Sequence, residues 1–226
     1  MKLCFVTENS VNTVWQERLA DISGQDVVAF GFNGLGLVSY KKELSGETEY
    51  FQDIAKLSKQ LDCVVLSGCD TDTYGVFRHS VVVAEKGKIL GVTDMVHSVD
   101  DSEFVAGGSY RVYHTVSGKI GVLVGEDLFF PQSSEVLSLC DADVIICIFK
   151  KQENTLPQIV LRAQAYCNGV PMALCAQGYC CVADIRGNVA LSSSADTIKI
   201  NVKPERDYHD IGLRKRGLCK DTFNGY

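Results

Sequence analysis

The chain has 226 residues, of which 46% are hydrophobic and 22% are charged, and its formal net charge is −6. These values are ordinary for a globular protein and allow a core that is stable without disulfides or metals. The negative net charge disfavours nucleic acid as a partner, since phosphate binding requires clustered basic side chains. The one basic cluster, residues 214–216, is interpreted as solvated surface.

Short apolar runs alternate with amphipathic segments, which is typical of a mixed α/β fold. In chain order the predicted elements are strand 2–6, helix 14–22, strand 26–30, helix 47–61, strand 63–66, a hairpin of 79–85 with 88–92, a hairpin of 110–115 with 119–124, helix 133–140, strand 144–149, helix 157–168, and strands 171–176, 181–185, 189–191 and 197–202. No linker or low-complexity tract divides the chain, so we expect a single domain spanning residues 1–226.

The sequence predicts a cytoplasmic protein without a membrane partner. No apolar run reaches the roughly 18 residues of a membrane-spanning helix, and the apolar residues 1–6 are followed at once by polar ones, which does not fit a signal peptide. The ten cysteines are interpreted as reduced thiols that act mostly as small buried hydrophobes. Their spacing predicts no zinc site, and we expect no metal and no cofactor.

Residues 118–131 read GKIGVLVGEDLFFP. This run resembles the G-K-I-G-V-L-I-C-Y-D-L-R-F-P signature of the nitrilase superfamily, the carbon–nitrogen hydrolases. Residues 87–91 (GKILG) and 142–145 (ADVI) resemble further motifs of that family in the same order. The resemblance implies an α/β fold, a four-layer αββα sandwich. It also implies a homodimer formed through the outer helices.

The family hydrolyses carbon–nitrogen bonds with a cysteine nucleophile, a glutamate base and a lysine that stabilises developing negative charge. The resemblance places Gly125, Phe32 and Met95 at those three positions, respectively. Glycine has no nucleophile, phenylalanine has no proton to exchange and methionine has no charge. Because a lone buried charge is costly, loss of both charged groups together is the stable outcome. The sequence therefore predicts a member that lacks the family's catalytic triad.

The remodelled pocket is expected to involve the following residues: Phe32, His79, Met95, Gly125, Glu126, Gln132, Cys147 and Gln177. His79 is interpreted as a ligand contact or as a satisfied core histidine, the second being favoured. The resemblance implies that Asp127 anchors the backbone and that Gln132 replaces a further family glutamate. The segment after Gln177, residues 178–181, is shorter than in the family, which would open or reshape the pocket.

Three functions remain open at this point. The favoured one is a non-catalytic protein that binds a small-molecule ligand in the remodelled pocket or assembles with a partner. The second is a divergent hydrolase with a relocated nucleophile, Cys147 or Cys175, which are interpreted as ending strands near the same edge. The third, a redox or metal-buffering role, depends only on the number of cysteines.

Overall fold

The computed structural model describes residues 1–97 and 103–205, so the basic cluster at 214–216 lies outside the described residues. Its strands are β1 (Lys2–Val6), β2 (Val27–Phe30), β3 (Gly36–Ser39), β4 (Val64–Thr73), β5 (Val76–Glu85), β6 (Lys88–Asp94), β7 (Arg111–Thr115), β8 (Gly118–Val124), β9 (Val144–Lys151), β10 (Met172–Gln177), β11 (Tyr179–Ala183), β12 (Val189–Ser193) and β13 (Thr197–Asn201). Its helices are α1 (Val11–Glu17), α2 (Leu19–Ile22), α3 (Tyr40–Ser45), α4 (Tyr50–Leu61), α5 (Pro131–Leu139) and α6 (Leu156–Asn168), and a 3₁₀ helix (Gly125–Phe129) follows β8.

The strands form two mixed sheets. The first has the order β13-β1-β2-β4-β5-β6, with β3 also paired to β4, and the second has the order β12-β11-β10-β9-β8-β7. The central strands β1, β2 and β4 of the first sheet are parallel, as are β8, β9 and β10 of the second. Antiparallel strands extend both sheets outward. This mixture follows from the connections, because helical crossovers join parallel strands and tight turns join antiparallel ones.

Three apolar clusters define the layers. One lies between the sheets and combines side chains such as Leu66 of β4 and Ile146 of β9. The second packs the opposite face of the first sheet against α1 and α4, and the third packs the opposite face of the second sheet against α5 and α6. Successive strand residues alternate between faces, so Val65 packs on the helices while Leu66 packs between the sheets. The αββα sandwich expected from the sequence is therefore confirmed.

Several element boundaries differ from the sequence prediction. The helix expected at 14–22 is two helices, α1 and α2, because Arg18 leaves the helical region at φ −134°. The sequence missed β3 and α3, and it ended β4 at residue 66 although that strand continues to Thr73. The extension of β4 is polar, and it is a strand because β3 and β5 satisfy its backbone hydrogen bonds.

The cysteines differ in their exposure to solvent. Among the described residues, Cys140 and Cys167 are exposed and the other cysteines are buried. Both exposed residues lie at the C-terminal ends of helices, Cys140 after α5 and Cys167 in the last turn of α6. In the part of the chain that the structure describes, no helix is both long and apolar enough to span a membrane.

Candidate functional site

The positions that correspond to the family's catalytic triad lie at one end of the sandwich, just beyond strand ends. Phe32 follows β2, Met95 follows β6 and Gly125 follows β8. Phe32 and Met95 are each 5% exposed and belong to the apolar cluster between the sheets. An added Cβ on Gly125 would lie 3.1 Å from the Sδ atom of Met95. Met95 therefore lies directly against Gly125, and Phe32 and Met95 share the apolar cluster between the sheets.

Gly125 has a backbone conformation that favours glycine. Its φ is +52°, in the left-handed region, where the 3₁₀ helix begins. A side chain at this position would be strained and would also press on Met95. Residue 125 thus offers neither a nucleophilic atom nor room for one without movement of the methionine.

Phe32 lies in the turn after β2, and its backbone packs closely against β4. An added Cβ on Gly68 of β4 would lie 2.9 Å from the Cα of Phe32, so a glycine is needed there. The Phe32 ring packs edge-on against the His79 ring, with centroids 5.6 Å apart. The position that would carry a general base is therefore filled by an aromatic ring.

His79 belongs to a group of polar residues that lies beside the apolar cluster containing Phe32. Its Nδ1 atom lies 2.6 Å from Oδ1 of Asp70, and Lys150 Nζ lies 3.3 Å from Oδ2 of the same carboxylate. The His79 side chain is 14% exposed, and its ring stacks on Phe104 at 3.8 Å. His79 thus has a hydrogen-bond partner, but it is only half-buried and does not belong to the core clusters, so the favoured interpretation as a core histidine does not describe it.

The charges around Asp70 decide its protonation. Burial by itself would raise the pKa of this carboxyl group. The hydrogen bond from His79 and the positive charges of His79 and Lys150 outweigh burial, so the pKa of Asp70 is lowered. Asp70 is therefore a carboxylate, and it pairs with Nδ1 of His79.

Asp127 anchors the segment that carries Met95. It is 1% exposed and accepts hydrogen bonds from the backbone N–H groups of Val96 (3.0 Å) and His97 (2.8 Å). His97 Nδ1 lies 3.0 Å from the same carboxylate. Burial raises the pKa of Asp127 even though these donors act in the opposite direction. The expected role in backbone anchoring is confirmed.

The remaining predicted pocket residues are more dispersed. Glu126 is half-buried in the 3₁₀ helix. Gln132 is exposed in the first turn of α5, which begins at Pro131. Gln177 is exposed and lines a polar cavity of about 290 Å³ together with Gln152 and Tyr179.

That cavity lies beside the turn between β10 and β11. The pairing of Ala176 with Tyr179 leaves a turn of two residues, Gln177 and Gly178. Residues 179–181, interpreted from the sequence as part of a shortened connection, already belong to β11.

Cys147 and Cys175 do not end strands, and they do not share a face. Cys147 lies inside β9 and faces the outer helices, whereas Cys175 lies inside β10 and faces the space between the sheets. Leu174, not Cys175, pairs with Cys147, so the two cysteines are offset by one residue and point in opposite directions. Cys147 Sγ approaches the carbonyl oxygen of Gly125 at 3.8 Å. Burial raises the pKa of both thiols well above the ordinary value.

Sequence reasoning missed Asp70, Lys150 and Phe104. Asp70 lies opposite His79 only because of the long β4–β5 register, and Lys150 comes from the other sheet. The available signal was a charged residue directly after the buried run of β9. Within the described residues, no group of three or more His, Cys, Asp or Glu side chains has the arrangement of a metal site.

Comparison with known proteins gives consistent matches. The family model described as carbon–nitrogen hydrolase matches residues 22–206. A protein named as a probable nitrilase in Schizosaccharomyces pombe is 24% identical over 139 residues, which is 58% of this chain and 51% of that protein. The chain thus spans about half the length of this curated relative.

Solved structures match over nearly the full length. An amidase variant from Nesterenkonia AN1 has a TM-score of 0.76 at 14% identity, covering 96% of this chain and 95% of the amidase. Nit3 from Saccharomyces cerevisiae has a TM-score of 0.74 at 16% identity, covering 100% and 97% of the two chains. At such low identities these similarities show the fold alone.

Proposed function

The chain belongs to the carbon–nitrogen hydrolase family, and on that premise we propose that it is a non-catalytic member that assembles through its outer helices and binds a small molecule at the sheet ends. The observation that carries the proposal is the position of Met95 Sδ, which lies 3.1 Å from where a Cβ on Gly125 would be. This contact puts an uncharged thioether where the family needs a lysine, beside a residue that has no thiol. Phe32 adds a ring where the family needs a base.

The direct test is a search for hydrolysis. Purified protein is incubated with a panel of primary amides, nitriles and N-carbamoyl amino acids, and ammonia release is compared with that of a heat-denatured sample. We expect no difference. Turnover that disappears in Cys147→Ser, while persisting in the exposed-residue control Cys140→Ser, would overturn the proposal.

A relocated nucleophile is the second candidate, and one contact favours it. Cys147 is the thiol that approaches the nucleophile position, at 3.8 Å from the Gly125 carbonyl oxygen. Its complete burial argues against reactivity, because the thiolate and not the thiol attacks, and burial raises the pKa of Cys147 well above normal. Rapid, stoichiometric and pH-dependent labelling of Cys147 by iodoacetamide in the native protein would favour this candidate.

The outer face of α5 and α6 supports assembly. Ile159 is 56% exposed and Leu156 is 49% exposed, and Ile159 lines a groove of about 560 Å³ together with Phe129 and Val160. Such an exposed apolar face fits a second copy of the chain, in line with the homodimer that the resemblance implies.

Measuring the mass in solution tests this assembly. Light scattering coupled to gel filtration should give a dimer for the wild-type chain and a monomer for Ile159→Glu. The control is Leu44→Glu, which changes an apolar residue of α3 that is 77% exposed and should leave the dimer intact. A monomeric wild-type protein, or equal effects of the two variants, would contradict assembly through this face.

The ligand is proposed to bind in the polar cavity beside Gln177. The cavity of about 290 Å³ has room for only a small polar compound. Thermal melting with a panel of small carboxamides and carboxylates tests this part, since a ligand of the native state raises Tm. We expect at least one to raise Tm in the wild type and less in Gln177→Ala. No shift with any compound would leave assembly as the proposed function.

A further inference from the structure

Cys175 and Cys180 lie directly opposite each other in the antiparallel pair β10–β11. The adjacent pair, Ala176 with Tyr179, closes the two-residue turn and therefore exchanges backbone hydrogen bonds. Because hydrogen-bonded and non-hydrogen-bonded pairs alternate, Cys175 and Cys180 occupy a non-hydrogen-bonded pair. Its Cα atoms are separated by roughly 4.5 Å, within the range of about 4.4 to 6.8 Å that a disulfide needs.

The two side chains also face the same way. Both belong to the apolar cluster between the sheets. The neighbouring Cys181 belongs to the cluster under the outer helices and lies opposite Leu174. Because successive strand residues alternate between faces, Cys180 lies on the same face of the sheet as Cys175 and Cys181 lies on the opposite face.

We propose that Cys175 and Cys180 are a disulfide-forming pair, which a small disulfide such as oxidised glutathione converts to a cross-strand cystine. One thiolate attacks a sulfur of oxidised glutathione and releases one glutathione thiolate. The second thiolate then attacks the mixed disulfide and releases the other glutathione. Two protons and two electrons leave the protein, and two molecules of reduced glutathione form.

Burial determines when this exchange takes place. Both cysteines are fully buried, and burial raises the pKa of Cys180 to about 12 and that of Cys175 well above normal. The thiols of the folded protein therefore react slowly, and the pair closes while the chain folds or when the hairpin opens. Once formed, the disulfide tethers the turn that borders the polar cavity beside Gln177 and removes the thiol that approaches the Ala29 carbonyl oxygen at 3.6 Å.

Refolding under controlled redox conditions tests the proposal. The full chain is unfolded with all thiols reduced, refolded in oxidised and reduced glutathione, blocked with N-ethylmaleimide and digested with chymotrypsin. Cleavage after Tyr179 separates Cys175 from Cys180 unless a disulfide joins them. We expect a linked peptide pair in mass spectra of the wild type and of Cys181→Ser, and none in Cys180→Ser.

Two results would overturn the proposal. One is blocked, unlinked Cys175 and Cys180 in wild-type protein that has refolded in the oxidising buffer. The other is a link from Cys175 to Cys181 or to a more distant cysteine. Fragmentation of the linked peptide shows which of the adjacent Cys180 and Cys181 carries N-ethylmaleimide. Mapping of the wild-type chain therefore decides both results even if a variant fails to fold.

Discussion

Replacing Gly125 with alanine measures how tightly Met95 closes the nucleophile position. The φ of +52° at residue 125 costs a non-glycine residue about 1 to 2 kcal/mol. The new methyl group also meets Met95 Sδ at 3.1 Å, and crowding of this kind in a packed core costs about 1 to 3 kcal/mol. We therefore expect Gly125→Ala to lower the free energy of unfolding by about 2 to 5 kcal/mol.

The matched control is Gly36→Ala, because Gly36 has a φ of +65° and no atom within 4 Å of an added Cβ. It should lose only the backbone part, about 1 to 2 kcal/mol. Both variants are measured by urea unfolding at unchanged m-value. In a Met95→Ala background the cost of Gly125→Ala should fall to that of the control, since the cycle isolates the contact. Equal losses in the two glycine variants, or no relief by Met95→Ala, would refute the packing described for this site.

Three further outcomes are expected. Asp127→Asn should lower the free energy of unfolding in urea by about 1 to 3 kcal/mol, because a buried carboxylate that accepts several N–H bonds is lost; an unchanged value would contradict its anchoring role. Because the pKa of Asp70 is lowered in the folded state, the stabilisation from its carboxylate is present above the unfolded pKa and is lost as pH falls through the folded pKa. Asp70→Asn should therefore reduce the fall of Tm at acidic pH. A fall of Tm equal to that of the wild type would contradict this. In native protein, iodoacetamide should modify exposed Cys140 well before buried Cys147; the reverse order would contradict the burial of Cys147.

The sequence was most informative where strands are buried on both faces. The run at residues 120–124 is continuously apolar because β8 is covered by the other sheet on one side and by helices on the other. Such runs predicted the central strands, and the signature around Gly125 predicted the layers. Sequence pattern failed at β3, which is short and half-exposed and is a strand only because β4 pairs with it.

The site could be predicted only in part, for a related reason. The positions of Phe32, Met95 and Gly125 follow from motifs adjacent in sequence, whereas the contact of Asp70 with His79 requires the register of two strands. Register also decides which face a residue occupies, because a shift of one residue turns a side chain to the opposite face. The faces of Cys147 and Cys175 could not be assigned for that reason.

The position of β13 constrains the order in which the molecule is built. Strands β1–β6 form the first sheet and β7–β12 the second, but β13 returns to the first sheet and pairs with β1, Lys2 opposite Asn201. The edge of β1 therefore stays open until nearly all described residues have been synthesised, and its closure joins the most distant parts of the chain. An open edge strand is a template for pairing with another molecule. We expect pairing of β13 to be the slow late step of folding, and a chain interrupted before Thr197 to aggregate through β1.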